Sequence, residues 1–229
     1  MIDKIVDLME RGLISDRLVR FGIRQLLKKR IAEEGSSHNS DSAQAVGRFA
    51  DSLRTSPIAV HTSEANEQHY ELPPEFFDSA LGKYKKYSSC YWGNGEIGLD
   101  DAEKSSLATT CERAELSDGM DILELGCGWG SLSLWMAKNY PNSKIIAISN
   151  SNPQREAITA QAKARNFKNL MVLTVDINQF SPETKFDRVV SIEMFEHMRN
   201  YQLLMENISS WLKVDGKLFV HVFCHQKYT

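Results

Sequence analysis

Long apolar runs are missing from this chain. No stretch approaches the ~20 consecutive apolar residues that a bilayer-crossing helix requires. The opening residues Met1-Ile2-Asp3-Lys4 do not read as a secretory leader. Cysteine is scarce. Cys90, Cys111, Cys127 and Cys224 form no C-x-x-C pair, and they read as reduced thiols of a cytoplasmic protein. A charge excess of one sign is also absent. The 27 basic residues nearly balance 30 acidic ones, and a net charge of −3 argues against nucleic acid as the main partner. Without a secretory leader, the sequon at Asn207-Ile208-Ser209 reads as chance. What remains is a globular chain of ordinary composition, long enough at 229 residues to bury a real core.

The rest is organised around Asp121–Gly130. Asp121 to Leu125 is a short apolar run that reads as a buried parallel strand. Gly126, Gly128 and Gly130 follow at alternate positions, and Ser131 to Lys138 has helical character. Strand, glycine turn and helix present backbone N–H groups to a nucleotide-like ligand, and glycine leaves room for its close approach. A dinucleotide site would read G-x-G-x-x-G, with an acid roughly 20 residues on. Here the third glycine comes one place early, and no Asp or Glu lies in Lys144 to Asn150. An acid at Glu124, two residues before G-x-G-x-G, resembles motif I of the S-adenosylmethionine-dependent methyltransferases instead.

Along the chain, residues 1–32 read as N-terminal helices. Ile2, Ile5, Val6 and Met9 share one face, Gly12 ends the first helix and Ser15 caps a second. Arg17, Arg20, Arg24 and Lys28 line one side of that second helix. They read as a solvated face rather than a membrane contact. Residues 33–43 are polar and read as a flexible linker. Residues 44–116 form a helical cap, with a helix start at Pro73-Pro74, the polar-aromatic loop Tyr87–Gly93, and a helix capped by Asp100. From residue 117 to 229 strands and helices alternate, which implies a parallel sheet. The further strands are Lys144–Ser149, Leu170–Val175, Asp187–Ile192 and Lys217–Phe223, with Asp215-Gly216 turning the chain into the last.

Ligands of open parallel sheets bind beyond the carboxyl ends of the strands. Asp176, at the end of the third strand, is placed to accept a hydrogen bond from an adenine amino group, or else to cap a turn. Asn150 and Gln154 are one helical turn apart across Pro153 and face the same ligand space. Glu193, Glu196 and His197 crowd together after a buried strand. Two carboxylates so close repel unless a cation or proton lies between them, and an imidazole can hold or relay that proton. Such a cluster suits the binding and deprotonation of an amine.

Four motifs in this order carry a family resemblance: Tyr87-Ser-Ser-Cys-Tyr-Trp92, Glu124–Gly130, Ser149-Asn-Ser-Asn-Pro-Gln154 and Glu193-Met-Phe-Glu-His-Met198. Together they resemble the coclaurine N-methyltransferases of plants, within the cyclopropane-fatty-acid-synthase-like methyltransferases. The resemblance implies S-adenosylmethionine as cofactor, lined by Ser88, Gly126, Gly128, Asn150, Gln154, Asp176, Ile177 and Ile192. It implies Glu193, Glu196 and His197 as the groups that handle a tetrahydroisoquinoline-like amine, and no metal. His221, Cys224 and His225 are not read as a zinc site. The lipid-modifying branch carries a bicarbonate-holding cysteine where this chain has Ser89, with Cys90 one place off, although His221 matches a histidine of that branch. The expected fold is a Rossmann-like class I methyltransferase sheet with five of seven strands and an N-terminal helical cap. Related chains continue further, so the sequence reads as C-terminally truncated. Leu218, Phe219, Val220, Val222 and Phe223 would leave an apolar strand edge that recruits another chain, giving a homo-oligomer or aggregate with weak or no methyl transfer, or an inactive chain that pairs with a full-length homologue.

Overall fold

The computed structural model describes residues 2–36, 42–60, 74–93, 95 and 97–224. They divide into two compact units, one holding the chain up to Ser52 and the other Leu53–Cys224.

The first unit is helical. α1 spans Ile2–Glu10 and α2 spans Asp16–Ser36. Gly12, at φ +69°, ends α1 in a Schellman arrangement. Its N–H donates to the Met9 carbonyl at 3.0 Å and the Leu13 N–H to the Leu8 carbonyl at 2.9 Å. Ser15 stands just before α2, as the pattern implies. The linker boundary is different: α2 runs on through Glu33, Glu34 and Gly35 to Ser36, because two good helix formers extend the last turn. Of the linker read at 33–43, residues 37–41 lie outside the described residues, and α3 spans Ser42–Arg54.

In the second unit, α4 (Pro74–Ala80) and α5 (Leu99–Arg113) precede the sheet. Then come β1 (Asp121–Leu125), α6 (Ser131–Asn139), β2 (Lys144–Ser149), α7 (Asn152–Ala164) and β3 (Leu170–Thr174). β4 (Phe186–Ile192), a 3₁₀ turn (Phe195–His197), α8 (Tyr201–Trp211) and β5 (Leu212–His221) complete it. The strands are all parallel, in the order β3-β2-β1-β4-β5. The chain order reverses around β1, and the carboxyl ends of β1 and β4 flank that switch point.

Period-two alternation in the sheet builds a core on both faces. Leu123, Leu125 and Val189 pack toward Leu204, Ile208 and Trp211 of α8. Ile122, Ile145 and Val190 pack toward Leu107 and Cys111 of α5 and Leu132 and Met136 of α6. Residues 54–60 are tied on by two asparagines. Asn200 Nδ2 donates to the Arg54 and Ser56 carbonyls, and Asn178 Nδ2 to the Ala59 carbonyl.

Two readings need correction. Asp100 does not cap α5. Gly98 holds that position in extended backbone without a side-chain cap, and Asp100 Oδ1 accepts from the Lys83 N–H at 2.8 Å instead. β5 starts at Leu212, which pairs with Phe186. A bulge then holds Asp215, at φ +64°, and Gly216 before pairing resumes at Arg188–Lys217. It ends at His221, so Val222 and Phe223 lie beyond it; the Phe223 N–H turns to Glu196 Oε1.

Candidate active site

A cavity of about 450 Å³ opens at the carboxyl ends of the strands. Its back wall is the glycine turn after β1. The N–H groups of Gly126 and Cys127 both donate to the Ile148 carbonyl at 3.0 Å, which ties the turn to the end of β2. Gly126 has φ +76°, and a Cβ there would come within 2.9 Å of Met194. Gly128 has φ +50° and lines the cavity, and a Cβ there would meet nothing within 4 Å. The first glycine is required by crowding and backbone, whereas the second borders open space that a ligand can fill.

β2 ends in a self-contained polar knot. Ser149 Oγ donates to Gln154 Oε1 at 2.6 Å and accepts from the Ser151 N–H at 3.1 Å. Ser151 caps α7 by accepting from the Gln154 N–H. These bonds set Gln154 in the wall, 3% exposed, beside Asn150. Behind the turn, Glu124 is buried and accepts from Ser133 Oγ. Burial pushes its carboxyl up to about 8, against the opposing pull of that hydrogen bond.

The loop after α4 forms a second wall, and sequence reasoning missed its construction. Glu103 of α5 is fully buried and accepts from the N–H groups of Gly82, Tyr84 and Lys86 at 3.1, 2.7 and 3.0 Å. Lys86 is 6% exposed. Its Nζ donates to Ser88 Oγ at 2.5 Å and to the carbonyls of Ser88 and Ser89 at 3.3 and 2.8 Å. Burial lowers the Lys86 ammonium from its ordinary value, while Cys90, Glu193 and Glu103 act in the opposite direction. Lys83-Tyr-Lys-Lys86 carries no reading from sequence alone; the one hint is the serine pair at Ser88-Ser89. Trp129 was missed too. Its ring packs on Phe77 at 4.5 Å, and its buried indole N–H has no partner among the described residues.

The front wall carries the acid–base cluster. Glu193 follows β4 at φ +51°, an uncommon backbone region for a side chain larger than glycine. Its N–H donates to the His221 carbonyl at 2.8 Å. The 3₁₀ turn then brings Glu196 and His197 to the cavity, where both are exposed. The cavity thus gathers Ser88, Gly126, Gly128, Asn150, Gln154, Ile177, Ile192, Glu193, Glu196 and His197. Asp176 is not in its wall, although Val175 and Ile177 are. Its Oδ1 accepts from the N–H and Nδ2 of Asn178, both at 2.8 Å, so the carboxylate closes its own turn.

Residues 59–229 match the family model described as mycolic acid cyclopropane synthetase. The chain is 36% identical over 228 residues to (S)-coclaurine N-methyltransferase of Thalictrum flavum subsp. glaucum, covering 100% of this chain and 63% of that one. Cyclopropane-fatty-acyl-phospholipid synthase of Escherichia coli (strain K12) is 28% identical, over 93% of this chain and 53% of its own length. The solved structure of a coclaurine N-methyltransferase bound to N-methylheliamine and SAH superposes with a TM-score of 0.86. It is 36% identical, over 99% of this chain and 65% of that chain. The chain therefore spans less than two thirds of these relatives. Its sheet is the Rossmann-like sheet of the S-adenosylmethionine-dependent methyltransferases, and the chain belongs to the mycolic acid cyclopropane synthetase family.

Proposed function

We propose that this chain is the cofactor-binding part of a cytoplasmic S-adenosylmethionine-dependent N-methyltransferase that acts on a small, tetrahydroisoquinoline-like amine. One observation carries the reading: the glycine turn and Gln154 share a single cavity with Glu193, Glu196 and His197. The residues fit the cofactor. Gly128 borders open space, Trp129 holds a buried donor with no partner among the described residues, and Asn150 and Gln154 add polar groups at the wall. When bound, S-adenosylmethionine supplies a methyl group on a sulfonium, an electrophile open to in-line displacement.

The chain's own residues prepare the nucleophile. A protonated amine has no lone pair to attack with, so a base must take its proton. Glu193 holds the cationic amine, and Glu196 and His197 stand at the mouth to accept the proton and pass it to solvent. Met194, Met198 and Ile192 supply apolar wall against which the amine's rings pack. The walls that would hold cofactor and amine would contribute to the rate by keeping the two in one orientation.

A lipid-directed reaction is the second reading, favoured by the family match and by the bacterial synthase. Residues 1–229 incubated with methyl-labelled cofactor should label a tetrahydroisoquinoline, as seen by mass spectrometry. Label appearing only in an unsaturated phospholipid would replace the amine reading with the lipid one.

A further inference from the structure

We propose that Lys86 is a positioning residue for the cofactor: its ammonium fixes the Ser88 hydroxyl as a donor to the carboxylate of the cofactor's methionyl arm. The inference rests on the reading that the cavity takes S-adenosylmethionine.

The argument is one of hydrogen-bond polarity. An ammonium has three N–H donors and no acceptor. Lys86 gives them to Ser88 Oγ, the Ser88 carbonyl and the Ser89 carbonyl, so none is left for a ligand. Lys86 therefore acts through its neighbours. Ser88 Oγ receives one of those bonds, and its own proton remains to be given. No described residue accepts that proton, and Ser88 lines the cavity. A hydroxyl that accepts from a cation is polarised into a stronger donor. The loop cannot easily turn away, because Glu103 holds the Lys86 N–H at 3.0 Å.

A second donor stands on the same side. Tyr87, next to Ser88, packs edge-on against Phe77 with ring centres 5.7 Å apart, and Phe77 packs on Trp129 at 4.5 Å. The Trp129 indole N–H has no partner among the described residues, and the residue is 5% exposed and in the cavity wall. Two donors that face the cavity call for an acceptor. On the cofactor's methionyl arm the sulfonium accepts nothing and the ammonium only donates, so the carboxylate is the acceptor there. The charged and titratable groups that act on Lys86 are Glu103 from α5, Glu193 from the loop after β4, and Cys90. Its positive charge offsets one of these two carboxylates, so the case for an anionic group rests on the direction of the hydrogen bonds and not on net charge.

Calorimetric titration of residues 1–229 with S-adenosylhomocysteine and with its decarboxylated analogue, S-adenosyl-3-thiopropylamine, tests this. Lys86→Met and Ser88→Ala should each weaken S-adenosylhomocysteine by roughly 10–100-fold, the range for a charge-assisted hydrogen bond. The decarboxylated analogue should stay within about twofold. The double variant should lose no more than the worse single one, because the two residues act as a unit. Trp129→Phe, which keeps the ring packing, should show the same ligand preference at smaller size. Equal losses for both ligands, or additive losses in the double variant, would overturn the proposal and leave the cofactor reading intact. A wild-type chain that binds neither ligand would sink both. If Lys86→Met does not fold, Ser88→Ala and Trp129→Phe still decide, since unchanged binding in both removes the donors on which the proposal stands.

Discussion

The two sides of the cavity are built by opposite means. At the back, Gln154, Ser149 and Glu124 are buried and bonded to their own neighbours, so each side chain is set before any ligand arrives. At the front, Glu196 and His197 are exposed, and the one described bond to the Glu196 carboxylate comes from the backbone of Phe223. A pre-set wall suits a cofactor of fixed shape. An exposed acid–base pair suits groups that exchange protons with water. The contrast teaches that binding and chemistry should respond to different substitutions.

The largest effect should come from the front wall. Glu196→Gln and His197→Ala should each lower amine turnover by roughly 10²–10⁴-fold, the range for loss of a general base. Steady-state assays with labelled cofactor check this. Near-normal turnover in both variants would make the cluster structural and erase the contrast.

Next comes the loop after α4, which forms a further wall of the cavity. Glu103→Ala strands three backbone N–H groups, two of them in part-buried settings and that of Lys86 buried. At about 1–3 kcal/mol for each donor left without an acceptor, unfolding free energy should fall by about 3–5 kcal/mol in urea titrations. A loss below about 1 kcal/mol would mean that the loop does not depend on Glu103.

A smaller effect should be visible in pH. With its carboxyl pushed up to about 8, folded Glu124 keeps a proton that the unfolded chain has already released. The folded state binds more protons across that window, so stability should fall as pH rises from the ordinary carboxylate range through about 8. The loss between about pH 6 and about pH 9 should be on the order of 2 kcal/mol. Glu124→Gln should flatten this part of the profile; an unchanged slope in urea midpoints would assign it to other groups.

The smallest effect separates Asp176 from the back wall. Its carboxylate closes a turn with Asn178. Asp176→Ala should therefore cost about 1 kcal/mol of stability, the usual worth of such a bond, with cofactor affinity within about threefold of the original. A loss of affinity beyond about tenfold would return Asp176 to the site.

These outcomes also mark what the sequence made legible. The turn from Asp121 to Gly130 could be read because strand, glycines and helix are neighbours in the chain, and each position has a local reason. That Glu193, Glu196 and His197 gather at one strand end was legible for the same cause. Features that depend on distant partners were not. β5 begins at Leu212 because Phe186 pairs with it, and that register is not written near residue 212. Lys86 was missed because its acceptors are two backbone carbonyls and a serine hydroxyl, none of which marks a lysine as buried. Asp176 has the right place at the end of β3. The donor two residues on, Asn178, bonds to its Oδ1, a contact that the strand-end position alone does not announce.

The division between the walls is tested most directly by titrating S-adenosylhomocysteine into residues 1–229 and two variants, Gln154→Ala and Glu196→Gln. Removing Gln154 should weaken binding by about tenfold or more, since it dismantles the buried knot with Ser149. Glu196→Gln should bind within about twofold of the original chain. The opposite pattern, with Glu196→Gln impaired and Gln154→Ala unaffected, would contradict the assignment of cofactor to the back wall and proton chemistry to the front.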